Sequence, residues 1–172
     1  MKKAIISFVF VMLISAMAIY AAPVSNVQLG HPNLIKAQQL LDNAVQKIDQ
    51  AQKANEFDMA GHAAKAKDLI AQASGELKLA AVAATENKGP SPAPNVKDSE
   101  LENKTVNNIS EARHHNLATA QDNIDNAYQR VIDAQKANEF DLGGHAAKAK
   151  DLLEDASKEL KLAAAEASEH KK

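Results

Sequence analysis

The chain contains the same unit twice. Residues 31–88 align without a gap to residues 114–171, at an offset of 83, and 37 of the 58 aligned positions are identical. The longest shared blocks pair 61–69 with 144–152 and 51–58 with 134–141. A repeat of this length constrains the fold before any element is assigned: whatever one copy forms occurs again, and the two copies can bury apolar surface against each other.

Each unit reads as a helical hairpin. In the first, Leu34, Leu41 and Ile48 recur every seven residues, with Ala37, Ala44, Val45 and Ala51 between them. That is one stripe of a helix, and Pro32 suits its first position, where a missing N–H costs nothing. Phe57 and Asp58 interrupt the pattern, and Asp58 is expected to cap a second helix. Its apolar face is Met59, Ala63, Ala66, Ile70, Ala73, Leu77 and Ala80, and Asn87-Lys88-Gly89-Pro90 ends it. The second unit repeats this with Leu117, Ile124 and Val131, then Leu142, Ala146, Ala149, Leu153, Ala156, Leu160 and Ala163. Aromatic residues make up only 3% of the chain; this and the abundance of Ala, Lys, Gln and Glu disfavour a sheet and favour helix. A lone hairpin cannot bury both stripes well, whereas two can. The expected fold is all-α, an antiparallel four-helix bundle built from two duplicated helical hairpins. In an up-down-up-down order the loops at 55–58 and 138–141 fall at the same end. Ala at so many seam positions lets helices approach closely but buries little area, so modest stability is expected.

The flanking segments have other signatures. Residues 1–21 begin Met1-Lys2-Lys3, run apolar from 4 to 20 except Ser7 and Ser15, and end Ile19-Tyr20-Ala21. This predicts a secretory signal peptide and a bacterial periplasmic or secreted protein; the competing reading is an uncleaved anchor. No second apolar run is long enough to span a membrane. The expected layout is signal peptide 1–21, N-terminal extension 22–31, hairpin 32–88, linker 89–104 and hairpin 105–172, the linker marked by Pro90, Pro92 and Pro94.

Several functions are excluded or disfavoured by composition. There is no Cys, hence no disulfide, thiolate metal site or cysteine nucleophile. Residues 22–172 carry 18 basic and 22 acidic side chains, which argues against nonspecific nucleic-acid binding. No zinc-protease helix, phosphate-binding Gly loop or Gly-x-Ser-x-Gly occurs, so neither an enzyme nor an organic cofactor is expected. Glu111-x-x-His114 is half of a di-iron helix motif, but Gln28 stands where the first copy would need the equivalent Glu.

The six His residues fall near predicted helix ends. With both loops at one end, that end collects Glu56, Asp58 and His62 from one unit and Glu139, Asp141 and His145 from the other. Imidazole with carboxylate is a borderline donor set suited to Cu, Ni or Zn. The other end would gather His31, His114, His115 and His170. A purely structural reading competes: helix caps at Asp58 and Asp141, loop plugs at Phe57 and Phe140, and exposed imidazoles.

The second-helix segments "GHAAKAKDLIAQASGELKLAA" and "GHAAKAKDLLEDASKELKLAA" resemble the repeat of the small metal-binding protein family of bacterial periplasms. The resemblance covers residues 31–88 and 114–172. It rests on Gly61-His62 and Gly144-His145 at the helix start and on Ala66, Ala73, Leu77, Ala149, Ala156 and Leu160 at small and apolar positions. It implies a short exported protein with a duplicated hairpin that binds divalent copper, nickel or zinc through His. The family repeats His along this helix at roughly seven-residue steps. Here those steps hold Leu69 and Glu76, then Leu152 and Glu159, so His62 and His145 carry over. The resulting expectation is an exported, non-enzymatic helical bundle that binds divalent metal weakly, as a buffer or scavenger. The alternative is a structural or protein-interaction module of the cell envelope, self-associating or holding a protein partner without metal. A lipid-surface role is a third reading, disfavoured by polar faces that mix acid and base.

Overall fold

The computed structural model describes residues 30–55, 59–88, 109–138 and 142–169. They form four helices: α1 Pro32–Asn55, α2 His62–Lys88, α3 Glu111–Asn138 and α4 His145–Glu169. Single left-handed turns, Met59–Gly61 and Leu142–Gly144, precede α2 and α4. No strand occurs among the described residues. The expected signal peptide, most of the N-terminal extension, the linker and Glu56, Asp58, Glu139, Asp141 and His170 lie outside them.

The predicted stripes form the core. Leu34, Leu41, Ile48, Ile70, Leu77, Leu117, Ile124, Leu153 and Leu160 are all essentially buried, with Ala filling the positions between. The first turn of α1 closes through Ile35 N–H to the His31 carbonyl, 3.0 Å, so Pro32 sits where its missing donor is not needed. At the start of α3, Arg113 and His114 N–H both reach the Ser110 carbonyl, and His114 leaves helical geometry (φ −139°, ψ 55°).

The hairpin turns differ from the expectation. The sequence places Asp58 as the cap of the second helix, but α2 begins only at His62. The chain reverses through consecutive left-handed residues: Met59, Ala60 and Gly61 have φ of 52°, 52° and 79°, and Leu142, Gly143 and Gly144 have 57°, 67° and 77°. A left-handed non-Gly residue costs about 1–2 kcal/mol. Met59 and Leu142 are fully buried, and burying such a side chain contributes about 1.5–3 kcal/mol, which offsets the one left-handed non-Gly residue of the second turn and part of the cost of the two in the first.

The bundle is antiparallel, but its connectivity corrects the up-down-up-down expectation. Each helix lies closest to one from the other hairpin: α1 along α3, and α2 along α4. His62, at the start of α2, meets Glu159 in α4, and Glu76 in α2 meets His145 at the start of α4. The C-terminal end of α1, at Ala51 and Ala54, lines a cleft with Arg113–Leu117 at the start of α3. The hairpins therefore dock in opposite directions, with their loops at opposite ends, and a pseudo-two-fold axis passes near Leu69 and Leu152. Helix order around the bundle is α1, α2, α4, α3. As α2 and α3 are diagonal and parallel, residues 89–108 join points about 40 Å apart, the length of a 27-residue helix.

The sequence explains this docking. Ala37, Ala44 and Ala51 in α1 and Ala66, Ala73 and Ala80 in α2 form heptad columns, repeated as Ala120, Ala127, Ala134 and Ala149, Ala156, Ala163. All twelve are buried. Side chains this small let helix axes come to the short end of the usual 8–10 Å range.

Candidate functional site

His62, Leu69 and Glu76 lie on one column of α2, seven residues apart, beside the Ala66–Ala73–Ala80 column. His145, Leu152 and Glu159 form the same column on α4. Antiparallel docking sets these columns side by side, so that each His faces the other repeat's Glu. His62 Nδ1 lies 2.7 Å from Glu159 Oε2, and His145 Nδ1 lies 2.7 Å from Glu76 Oε2. Leu69 and Leu152 lie midway, packed against the core.

The two pairs share one chemistry. An ionised carboxylate only accepts, so Nδ1–H donates and the neutral imidazole keeps its lone pair on Nε2. The His62 and His145 side chains are 27% and 25% exposed, while Glu159 is 11% and Glu76 22% exposed. Both rings thus reach solvent, His62 over a more deeply set carboxylate and His145 beside one about as exposed as itself. Lys65 Nζ also pairs with Glu159, through Oε1. Lys65 first and His62 second hold the Glu159 carboxyl below its usual range, against the opposing effect of burial. Favouring the charged form in this way keeps Glu159 an acceptor through neutral pH.

His62 and His145 do not share one end of the bundle, as their expected common site required. Fourteen residues of helix separate His62 from the level of His145, about 21 Å at 1.5 Å per residue. The physical reason is the opposed docking of the hairpins. Their expected co-ligands Glu56, Asp58, Glu139 and Asp141 lie outside the described residues. Among the described residues, no group of three or more His, Asp or Glu is placed to hold a metal ion.

The second expected cluster is also divided. His31 lies beside the end of α2, and His114 and His115 lie at the opposite end of the bundle. His31 Nε2 is 2.9 Å from Thr85 Oγ1, and His114 Nε2 is 2.8 Å from Ser168 Oγ. Each hydroxyl donates its proton to a carbonyl one turn back, Ala81 or Ala164, so it accepts from the ring Nε2–H. His31 is 2% exposed, and its Nδ1 has no hydrogen-bond partner. Burial alone pushes its pKa below the ordinary 6.5. His115 is exposed and pairs with Glu111 at 3.3 Å.

Glu76 and Glu159 are the site residues that reading for ligands missed. Their signal was present: each stands two heptads after a His on the same column, and antiparallel pairing of two copies brings His to Glu. A further acidic group sits in a groove between α3 and α4 lined by Tyr128, Ser157, Lys158 and Lys161. There burial, reinforced by Asp122 and opposed by Lys161, raises the Asp125 carboxyl to about 6.

No protein-family model, curated protein or solved structure matches the chain. No helix among the described residues is long and apolar enough to cross a membrane.

Proposed function

We propose that this chain is an exported, non-enzymatic protein that binds divalent metal weakly, at two separate single-imidazole sites centred on His62 and His145. One observation carries this reading: each ring is held through Nδ1–H by a carboxylate. Metal-ligating His residues commonly make that bond, which fixes the tautomer, raises the basicity of the other nitrogen and aims it. Here Nε2 is left as the donor at a part-exposed position, and imidazole suits Cu, Ni and Zn. Glu56 and Asp58 precede the His62 turn in sequence, as Glu139 and Asp141 precede that of His145, and they are the proposed additional ligands. The resemblance fits the same seam. A chain with His at all three heptad steps would stack imidazoles in pairs along α2 and α4. This chain keeps one His of each outer pair and replaces its mate with Glu. Export rests on the signal-like residues 1–21, and sparse ligation fits buffering or scavenging better than tight delivery.

Calorimetric titration of residues 22–172 with Cu(II), Ni(II) and Zn(II) tests this. Two equivalents should bind, His62→Ala and His145→Ala should each remove one, and affinity should fall as pH is lowered because protons compete with metal for the imidazole lone pair. Binding that survives the double substitution, or no binding at all, would contradict it.

The second reading, a structural or interaction module, is favoured by a different observation. His31, His62, His114 and His145 all make bonds that tie helices together, which accounts for them without metal. Leu79 and Leu162, at equivalent positions of the repeats, are each 47% exposed and would form part of its contact surface. Partner capture unaffected by chelator would support it.

A further inference from the structure

We propose that the seam between the hairpins is a self-complementary docking surface that also accepts the equivalent hairpin from a second copy of this chain. This does not depend on metal binding. The seam is built from features that each repeat carries in full. Both have the Ala columns, one on each helix, and both have the His and the Glu fourteen residues apart, His62 with Glu76 and His145 with Glu159. The bridges cross reciprocally between repeats, 2.7 Å each. Pairing related by a two-fold axis is isologous: a surface that meets its near-copy this way also meets an identical copy. If the first hairpins of two chains paired, His62 of each would face Glu76 of the other. If first paired with second across chains, the observed bridges would re-form unchanged. Side-chain hydrogen bonds within each hairpin, such as Gln38 to Ser74 and Gln121 to Ser157, would be untouched by the exchange.

Closure within one chain depends on a connection that must span the bundle. Residues 89–108 bridge about 40 Å, and their reach when extended is about 70 Å. A tether of this kind provides an effective concentration of at most the millimolar range. A second copy near that concentration therefore competes with the chain's own hairpin.

Two experiments on the chain test this. Deleting residues 91–106 leaves a connection that reaches only about 18 Å, too short for the closed monomer. This variant should sediment as a dimer at twice the chain mass with unchanged helicity per residue, and its unfolding temperature should rise with protein concentration. A folded monomer, or a chain that loses its helicity, would overturn the proposal. Independently, unaltered residues 22–172 should be unfolded in denaturant and refolded at about 1 μM and about 1 mM, bracketing the tether's effective concentration. The concentrated sample should contain a substantial dimer fraction by light scattering, the dilute one almost none. Monomer alone at both concentrations would overturn it.

Discussion

Within a hairpin, helices are tied by polar side chains. Gln38 bonds Ser74 and Gln121 bonds Ser157; His31 bonds Thr85 and His114 bonds Ser168. Lys67 reaches Asp49 and Gln52 at 2.8 Å each, and Tyr128 reaches Glu154. Between hairpins the helices lie closer, on buried Ala columns, and the named polar contacts are the two His–Glu bridges and Lys65 with Glu159. The difference separates two tasks. Directional bonds select which helices form a hairpin and in which register. Close contact of small side chains supplies the docking, which dispersion and burial drive without direction. Direction at that seam comes from the His–Glu bridges, and there the imidazoles reach solvent.

If the seams differ in this way, enlarging one small residue should harm docking most. Ala44→Leu is expected to destabilise by about 1–3 kcal/mol through overpacking, whereas Ala71→Leu, on the exposed face of α2, should cost almost nothing. Chemical denaturation of both variants checks the contrast; equal effects would mean the Ala columns are not closely packed.

The His–Glu bridges should be smaller terms. A double-mutant cycle with His62→Ala and Glu159→Ala is expected to give a coupling of about 1 kcal/mol at pH 7. The Glu159 carboxyl is held low, so its share of stability is present above about pH 4.5 and lost as pH falls through its depressed folded-state value.

Two other titrating groups act in opposite senses. Burial lowers the His31 pKa, so its contribution is complete above 6.5 and is lost as pH falls below that value. Asp125 is raised from 3.8 to about 6, so its burial is penalised at neutral pH and the penalty is relieved as pH falls from about 6 to 3.8. Asp125→Asn should thus stabilise at pH 7.5 by about 1 kcal/mol after allowance for solvent screening and have no effect near pH 3.5. His31→Gln should flatten the loss just below pH 6.5. Thermal unfolding across pH reads both.

The smallest effects should arise in the polar seam and the turns. Joint replacement of Gln38→Leu and Ser74→Ala should cost under about 1 kcal/mol, because removing both partners of a buried hydrogen bond can be nearly neutral. Ala60→Gly should stabilise by about 0.5–1 kcal/mol by relieving a left-handed Ala, matching Gly143 at the same turn position of the second repeat.

The sequence made the helices, their stripes and the duplication legible because heptad spacing and turn residues are local signals. The relative direction of the hairpins was not legible from the stripes: Leu41 and Ile70 are buried equally well whichever way the second hairpin points. What distinguishes the directions is long-range, namely the meeting of His62 with Glu159 and of Glu76 with His145, which requires reading both repeats as partners. The turns misled for a related reason. Asp58 has the side chain of a cap, but burial of Met59 and Leu142 holds the chain left-handed through the following turn and delays the helix to His62 and His145.

The separation of His62 from His145 can be measured together with the proposed function. Pulsed electron resonance on residues 22–172 loaded with two equivalents of Cu(II) reads the distance between bound ions. Fourteen helical residues plus the offset between α2 and α4 predict about 20–25 Å, and His145→Ala should abolish the signal. A copper–copper distance under about 10 Å would place both imidazoles at one end and contradict opposed docking. A signal unchanged by His62→Ala and His145→Ala would contradict ligation by these residues.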